Sequence, residues 1–209
     1  MSVILSVIIG YLIGSFPTGY ILLKKYHSLD IIDTGSGNVG ALNSYRVSRS
    51  ILTGIVVFVI DFMKGFVSVL IIKIIYGNVF ILLITSLAAA VLAHCYSPWI
   101  KFKGGRGLAT AAGGGTIISI PIMVLWISVW AILFLLKRNI HFANIGAIIV
   151  TILTLLIPSG LKELLSKPYT YNQLEFSLAV TLIMVIMLTR HNISINRLIF
   201  TKNKKNQGI

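Results

Sequence analysis

Acidic residues are scarce in this 209-residue chain, in which five Asp and Glu stand against 18 Lys and Arg. Only 11% of the residues are charged, 56% are apolar, and the mean hydropathy is +0.94. About a quarter of the residues of a soluble domain are charged, so this composition argues against a soluble protein and indicates a lipid environment. The net charge of +13 suits an anionic partner: nucleic acid, anionic lipid or a phosphorylated substrate.

Cysteine is almost absent as well. Cys95 is the only one, which excludes an internal disulfide, and four scattered histidines without a cysteine pair make no metal-site pattern. We therefore expect neither a metal nor another cofactor. No basic segment precedes the first apolar run, so we expect the N-terminus to be a retained membrane span rather than a cleaved signal.

Seven apolar runs predict an all-α membrane protein with about seven transmembrane helices, some of them short. The runs cover residues 3–23, 51–75, 79–93, 108–118, 121–136, 144–157 and 174–188. Several are shorter than the ~20 residues that span a bilayer, and they flank glycine-rich loops, as helices around a polar cavity do. Pro121 fits either a turn between two helices or a kink inside one, and we expect the turn.

The basic residues predict the orientation. With seven spans, 14 of the 18 fall on one side, in segments 24–49, 101–106, 137–138 and from residue 190 onward. The positive-inside rule places this side, with the glycine-rich loops and the C-terminus, in the cytoplasm and the N-terminus outside. We expect residues 1–209 to form a single integral-membrane domain that ends in a short basic cytoplasmic tail, residues 199–209.

The segment DTGSGNVGALNSYR, residues 33–46, contains G-x-G-x-x-G. A dinucleotide fingerprint needs a soluble βαβ unit around it, and the apolar spans on both sides argue against one. Closely spaced glycines still let consecutive backbone N–H groups converge on an anion, and Ser36 and Asn38 add side-chain donors. The alternative is a glycine turn whose basic neighbours, Arg46 and Arg49, face lipid headgroups.

A second glycine-rich loop, KFKGGRG at residues 101–107, also carries three cations. Two such loops on one membrane face predict a site for phosphate groups. The glycines at 113–115 are better explained by close helix packing. In RHNISINRL, Arg190 and Arg197 lie about two helical turns apart, where they fit either substrate binding or the positively charged flank of the last span.

Asp61 and Lys64 lie inside an apolar run, three positions apart, so they can meet on one helix face. Ionisable groups are costly in a membrane, and we favour a structural ion pair that supports the site over direct catalysis. His94, at the membrane edge, fits equally a general base, a phosphate donor or an interfacial histidine. The motifs H-x4-D, G-x-S-x-G and G-x-x-x-x-G-K-[ST] are absent, so a reaction here would need little from a protein nucleophile.

Together these segments resemble the acyl-phosphate:glycerol-3-phosphate acyltransferase family, PlsY, of bacterial phospholipid synthesis. The resemblance rests on GSFPTGYILLKK, GSGNVGALNSYR, DFMKG, AHCYSPWIKFKGGRGLAT and RHNISINRL, in the family's order and spacing along almost the whole chain. It implies a multi-pass enzyme of the bacterial cytoplasmic membrane whose active site faces the cytoplasm. Its reaction would move a fatty acyl group from acyl phosphate to the sn-1 hydroxyl of glycerol 3-phosphate, giving lysophosphatidate and phosphate.

The resemblance also implies the roles of individual residues. Acyl phosphate is an activated mixed anhydride, so positioning and charge stabilisation can suffice without a covalent acyl-enzyme. The residues expected to act in catalysis are Ser36, Lys103, His94 and His191, with the two histidines as alternative bases. The residues expected to bind substrate are Gly35, Gly37, Asn38, Gly40, Asn43, Arg46, Gly104, Gly105, Arg106, Gly107, Arg190, Ser194 and Arg197.

The first loop would hold the acyl-phosphate headgroup, while His191 and Arg197 would orient glycerol 3-phosphate. Arg46, Lys103 and Arg106 would neutralise phosphate charge. The expected partners are these two substrates and membrane lipids, with no nucleic acid. We expect a monomer that is functionally linked to an enzyme producing acyl phosphate.

Several positions depart from the family's pattern, most of them in polar segments. Ile32 replaces an Arg, Leu42 a Thr, Asn192 an Arg, Ser194 an Asn and Asn203 a Glu, while His141 and Asn144 lie where serines are common. Two readings therefore stand within the resemblance: an active glycerol-3-phosphate acyltransferase, or a divergent paralogue with another donor or acceptor or no activity. A small transporter for an anionic metabolite is the alternative from another class.

Overall fold

The computed structural model describes residues 1–156, 164–165 and 172–206, and for residues 192–206 it describes the helical backbone alone. The expected side-chain roles of Ser194 and Arg197, and the departures at Asn192 and Asn203, therefore lie outside the described residues. The expected tail is helical in backbone as far as residue 206. Residues 207–209 are likewise outside the description.

The described part of the chain confirms the all-α prediction. Its helices are α1 Ser2–Ser15, α2 Thr18–His27, α3 Ala41–Ser48, α4 Ile51–Tyr76, α5 Phe80–Cys95, α6 Leu108–Ile118, α7 Ile120–Lys137, α8 Ile140–Leu156 and α9 Gln173–Asn206, with a 3₁₀ turn at Pro98–Ile100. Within the described residues, five helical stretches are long and apolar enough to cross a membrane: Ser2–His27, Ile51–Tyr76, Phe80–Ile100, Ile120–Lys137 and Gln173–His191. The shorter α6 and α8 are also apolar, so the chain is a multi-pass helical membrane protein.

Proline shapes two of these helices. The first apolar run was expected to be one helix, but it divides into α1 and α2 around Pro17, whose ring cannot continue a helix with an intact hydrogen-bond ladder. Pro121 lies in the first turn of α7, where its missing N–H costs nothing. Ser119 separates α6 from α7 and its side chain accepts a 3.3 Å hydrogen bond from the Ile122 N–H. The expected turn at Pro121 is therefore confirmed.

Glycines let α4 and α6 cross in backbone contact. A Cβ on Gly113 would overlap the carbonyl oxygen of Phe62, and one on Gly65 would overlap that of Thr110. The Thr110 hydroxyl donates a 2.9 Å hydrogen bond to the Asp61 carbonyl oxygen at the same crossing. This confirms that the glycines after the second loop serve packing, and it fixes the start of α6 against the middle of α4.

Candidate active site

The first glycine-rich loop, between α2 and α3, is held by the side chain of Asn43. Its Oδ1 accepts a 3.0 Å hydrogen bond from the Ser36 N–H, and its Nδ2 donates to the carbonyl oxygens of Thr34 (3.2 Å) and Asn38 (2.9 Å). Gly35 has a φ of +64°, which favours glycine, and a Cβ there would overlap Asn43. Asn43, expected to bind substrate, thus shapes the loop.

This bonding leaves at least two of the N–H groups in residues 35–40 unavailable to an anion. The N–H of Ser36 already donates to Asn43 Oδ1, and the N–H of Gly37 donates to the Thr34 carbonyl oxygen at 3.2 Å. The loop uses both donors itself because it turns tightly. The first turn of α3, whose N-cap is Gly40, keeps the unpaired N–H groups of a helix start.

The second loop is clamped between α5 and α9. From α9, Arg190 donates from Nη2 to the Gly104 carbonyl oxygen (2.8 Å) and from Nε to that of Gly105 (3.3 Å). On the other side, the N–H groups of the two glycines donate to the carbonyl oxygens of Cys95 (3.1 Å) and His94 (3.0 Å). Arg190, expected to bind substrate, therefore holds the loop through its carbonyl oxygens.

A cavity of about 300 Å³ lies where the two loops meet. The first turns of α3 and α6 line it, so two helix N-termini, which are partially positive, lie at its wall. Of the expected site residues whose side chains the structure describes, five line this cavity: Asn38, Gly40, His94, Arg106 and Gly107. Residues as far apart in the sequence as Asn38 and Gly107 thus form one site at one end of the helix bundle.

Arg106 is the buried cation of this cavity, with 8% of its surface exposed. Burial, followed by the charges of Arg46 and Arg190, lowers its pKa to about 10, so it is charged at neutral pH. Among the described residues no carboxylate forms an ion pair with Arg106, and its Nε has no hydrogen-bond partner. A buried guanidinium is costly without an anion, and phosphate matches its planar array of donors.

Asp61 and Lys64 form the predicted buried ion pair, with a distance of 2.6 Å between Lys64 Nζ and Asp61 Oδ1. The same carboxylate oxygen lies 3.8 Å from His94 Nδ1. His94 Nε2 packs against Gly105, because a Cβ on that glycine would overlap it. The cluster therefore connects α4 to the second loop and supports it, while Asp61 also lines the cavity.

His191 is fully buried, and its Nδ1 donates a 2.8 Å hydrogen bond to the Met187 carbonyl oxygen. A neutral imidazole carries one N–H, so Nε2 bears the lone pair, and it has no partner in the part of the chain that is described. Arg106 and His141 lie within electrostatic range of this ring. Of the two expected bases, His191 has the free acceptor, whereas both nitrogens of His94 face protein groups.

Lys103 lies apart from Arg106, although both were expected to neutralise the same phosphate. It lines a separate cleft of about 220 Å³ together with Asp30 and Ile32. The separation arises because the loop turns inward after Lys103, which stays exposed, and buries Arg106. Of the two departures nearest the first loop, Ile32 lies in this cleft and Leu42 lines the cavity of Arg106.

Asn144 joins the cavity wall from α8, although the sequence indicated it only as a departure. It is buried, and its Oδ1 accepts a 2.6 Å hydrogen bond from Trp130 Nε1 of α7, another residue of the cavity wall. Its place as a polar side chain near the start of an apolar helix was the sequence signal that could have predicted a role in the site. The contact with Trp130 could not be expected from spacing, because it joins two helices.

Apolar helices around a buried, cationic, glycine-lined cavity define a helical membrane protein with a polar site at one end of its bundle. The chain belongs to the glycerol-3-phosphate acyltransferase family, whose model matches residues 4–201. It is therefore a membrane acyltransferase, and the resemblance found in the sequence is confirmed.

Relatives align along nearly their whole length. The glycerol-3-phosphate acyltransferase of Aquifex aeolicus is 35% identical over 200 residues, which cover 95% of this chain and 96% of the relative. The glycerol-3-phosphate acyltransferase of Bartonella henselae is 33% identical over 204 residues, which cover 95% of this chain and 89% of the relative.

Two solved structures share the fold. They are crystal structures of PlsY (YgiH), an integral membrane glycerol 3-phosphate acyltransferase, both 33% identical to this chain and covering 96% of it. The glycerol 3-phosphate form has a TM-score of 0.78 with 94% of that chain covered, and the lysophosphatidic acid form has 0.76 with 93%.

Proposed function

We propose that this chain transfers a fatty acyl group from acyl phosphate to the sn-1 hydroxyl of glycerol 3-phosphate. The observation that carries the proposal is the buried Arg106 guanidinium, which lines a cavity together with the N-termini of α3 and α6 and has no carboxylate partner among the described residues. Both substrates carry phosphate, and the products are lysophosphatidate and inorganic phosphate. A donor that carries phosphate at its reacting end explains a buried cation without a carboxylate partner better than a thioester donor does, because the thioester group itself is uncharged.

The reaction needs positioning and charge stabilisation rather than a protein nucleophile. The acceptor oxygen attacks the donor's carbonyl carbon, the bond from that carbon to the phosphate oxygen breaks, and phosphate leaves with the electron pair. Arg106 and the two helix N-termini stabilise the negative charge that grows on the leaving phosphate. Arg46, within electrostatic range of Arg106, adds to this field.

The hydroxyl proton goes to His191 Nε2 or directly to a phosphate oxygen. His191 suits the role because its Nδ1–H is anchored on Met187, which keeps the Nε2 lone pair available. His94 has a supporting role in this scheme, since its ring is held between Asp61 and Gly105.

The acyl chain would begin in a narrow apolar groove between α5, α6, α7 and α9. Leu108, next but one to Arg106, lines both this groove and the polar cavity. A donor at Leu108 would place its phosphate against Arg106 and its tail among apolar side chains such as Met123 and Met184. The tail end of this groove would also be the place where chain length is limited.

The remaining expectations complete the proposal. Ser36, Gly35 and Gly37 shape the entrance beside the donor's headgroup, and Lys103 attracts anions from the separate cleft in which it lies. The seven apolar helices cross the bacterial cytoplasmic membrane with the N-terminus outside, so the cavity opens to the cytoplasm, where glycerol 3-phosphate is found. The enzyme acts as a monomer and uses acyl phosphate made by a partner enzyme.

The test is a transfer assay with purified protein in nanodiscs. Radiolabelled glycerol 3-phosphate is supplied with acyl phosphate, acyl-CoA or acyl-carrier protein, and lysophosphatidate is measured. We expect product with acyl phosphate alone, and Arg106→Ala should lower kcat/KM at least about 100-fold. Lys25→Ala, which removes an exposed cation of α2, is the matched control and should keep wild-type kinetics. Product from acyl-CoA alone, or uptake into liposomes without conversion, would overturn the proposal.

A further inference from the structure

The cavity between the two loops offers few hydrogen-bond acceptors to a substrate that carries hydroxyl groups. Arg106 can only donate, and both nitrogens of His94 face protein groups. The Oδ1 of Asn144 already accepts a 2.6 Å hydrogen bond from Trp130 Nε1. Among the described residues that line the cavity, Asp61 is the only carboxylate.

Asp61 has one carboxylate oxygen committed to the protein and one left over. Oδ1 accepts the 2.6 Å hydrogen bond from Lys64 Nζ and lies 3.8 Å from His94 Nδ1. In the described part of the chain, no hydrogen bond or ion pair uses Oδ2. An ionised carboxylate has about four lone-pair sites, so Asp61 can still accept a hydrogen bond from a group in the cavity.

The position of this carboxylate is fixed before a substrate binds. Lys64 lies one helical turn further along α4, and the ion pair holds both side chains on one helix face. The Asp61 carbonyl oxygen accepts the 2.9 Å hydrogen bond from the Thr110 hydroxyl, which fixes this turn of α4 against the first turn of α6. Only 3% of Asp61 is exposed, and a charged acceptor shielded from water bonds a hydroxyl more strongly than an exposed one does.

We propose that Asp61 selects the acceptor by accepting a hydrogen bond from the sn-2 hydroxyl of glycerol 3-phosphate, the hydroxyl that does not react. This inference rests on the proposed function. Because Lys64 offsets the charge of Asp61, the carboxylate does not exclude a substrate that carries phosphate. The same pairing makes it a weaker base, so it suits a hydrogen bond better than removal of the proton from the reacting hydroxyl. The enzyme therefore prefers an acceptor with a second hydroxyl over one that has the reacting hydroxyl alone.

The experiment compares two acceptors that differ in this hydroxyl only: glycerol 3-phosphate and 3-hydroxypropyl phosphate. Each is supplied with acyl phosphate to the purified enzyme in nanodiscs, and kcat/KM is obtained from the acylated product measured by mass spectrometry. Hydrogen bonds to charged groups are among the stronger ones, so the wild-type enzyme should prefer glycerol 3-phosphate by at least about tenfold in kcat/KM. A smaller preference would overturn the role of Asp61 without recourse to any variant.

The variant combines Asp61→Asn with Lys64→Met, which removes the carboxylate without leaving a buried charge unpaired. We expect the preference to fall at least about fivefold, while kcat/KM for 3-hydroxypropyl phosphate stays within about twofold of wild type. If this protein does not fold, Asp61→Leu with Lys64→Met replaces the ion pair by apolar side chains and gives the same comparison. A smaller fall in preference, or equal losses with both acceptors, would show that Asp61 supports the fold without recognising the acceptor.

Ser68→Ala is the matched control on the same helix. Ser68 is fully buried, its hydroxyl donates a 2.9 Å hydrogen bond to the Gly65 carbonyl oxygen, and it lies away from the cavity wall. This variant should keep the wild-type preference between the two acceptors. Failure of the proposed function is distinguishable, since the wild-type enzyme would then form no lysophosphatidate, whereas failure of this inference leaves lysophosphatidate formation intact.

Discussion

Arg190 Nη2 donates a 2.8 Å hydrogen bond to the carbonyl oxygen of Gly104, joining residues 86 positions apart in the sequence. A second bond from Nε to Gly105, at 3.3 Å, completes a two-pronged contact with the loop. Only a guanidinium offers two donors in this fixed geometry. The last described span thereby holds the backbone that presents Arg106 to the cavity.

Replacing Arg190 by Lys should lower kcat/KM about tenfold or more although the charge is kept, because one ammonium cannot bond both carbonyl oxygens in the same geometry. Steady-state kinetics in nanodiscs measure the effect, and the thermal unfolding midpoint checks the fold. Arg138→Lys, the same exchange at an exposed position, is the control and should be neutral. Unchanged kinetics in the Arg190 variant would show that the clamp does not position the loop.

Asn43→Asp should be more damaging than Asn43→Ala. The aspartate would direct a carboxylate at the Thr34 and Asn38 carbonyl oxygens that now accept from Nδ2, whereas alanine only removes the bonds. We expect a loss of unfolding free energy of about 2 kcal/mol for alanine and more for aspartate. Denaturation in detergent measures this order. Equal stability of the two variants would contradict the bonding described for the loop.

Arg106→Lys should make acceptor binding depend on pH in the alkaline range. Burial and neighbouring cations lower the pKa of Arg106 to about 10, and the same surroundings should lower the pKa of a lysine there below its ordinary value of about 10.4. The charged form binds phosphate, so the variant's KM should rise with pH in the alkaline range more steeply than the wild-type KM does. KM measured from pH 7 to 9.5 provides the test.

The exposed exchange Lys25→Arg is the control for this profile, because it retains a cation away from the cavity. It should follow the wild-type curve throughout. A flat profile for the Arg106 variant would mean that this residue is less buried, or less needed for phosphate binding, than the structure indicates.

Gly113→Ala should disrupt the crossing of α4 and α6, because its Cβ would overlap the backbone carbonyl oxygen of Phe62. Backbone cannot move aside as a side chain can, so we expect a loss of about 3 kcal/mol. Gly146→Ala is the matched control: its Cβ would meet only the tip of the Leu133 side chain. Thermal unfolding should separate the two variants clearly, and similar midpoints would refute the close crossing.

Lys64→Met should destabilise the protein by about 3–5 kcal/mol, since it leaves the Asp61 carboxylate buried without its cation. The double variant Asp61→Asn with Lys64→Met should recover most of that loss, because no uncompensated charge remains. Unfolding free energies in a double-mutant cycle measure the coupling. Additive losses would show that the two residues do not act as a pair.

Several features followed from sequence because they depend on local pattern. The apolar runs at 108–118 and 121–136 correspond to α6 and α7, since membrane helices are specified by continuous hydrophobicity. The pair of Asp61 and Lys64 followed from spacing on one helix. The break at Pro17 was missed, although proline was its signal, because hydropathy does not distinguish a broken span from a continuous one.

The sequence by itself determined the membrane class, the family and the two cationic glycine-rich loops, because composition, hydropathy and motif order are properties of the chain alone. Tertiary structure decided which cations share a site: it buries Arg106 near Arg46 and Arg190 and leaves Lys103 in another cleft. It also decided that Asn43 holds the first glycine-rich loop and Arg190 the second, each through hydrogen bonds to the loop backbone. Hydrogen-bond partners and burial depend on segments that meet only after folding, which no local spacing specifies.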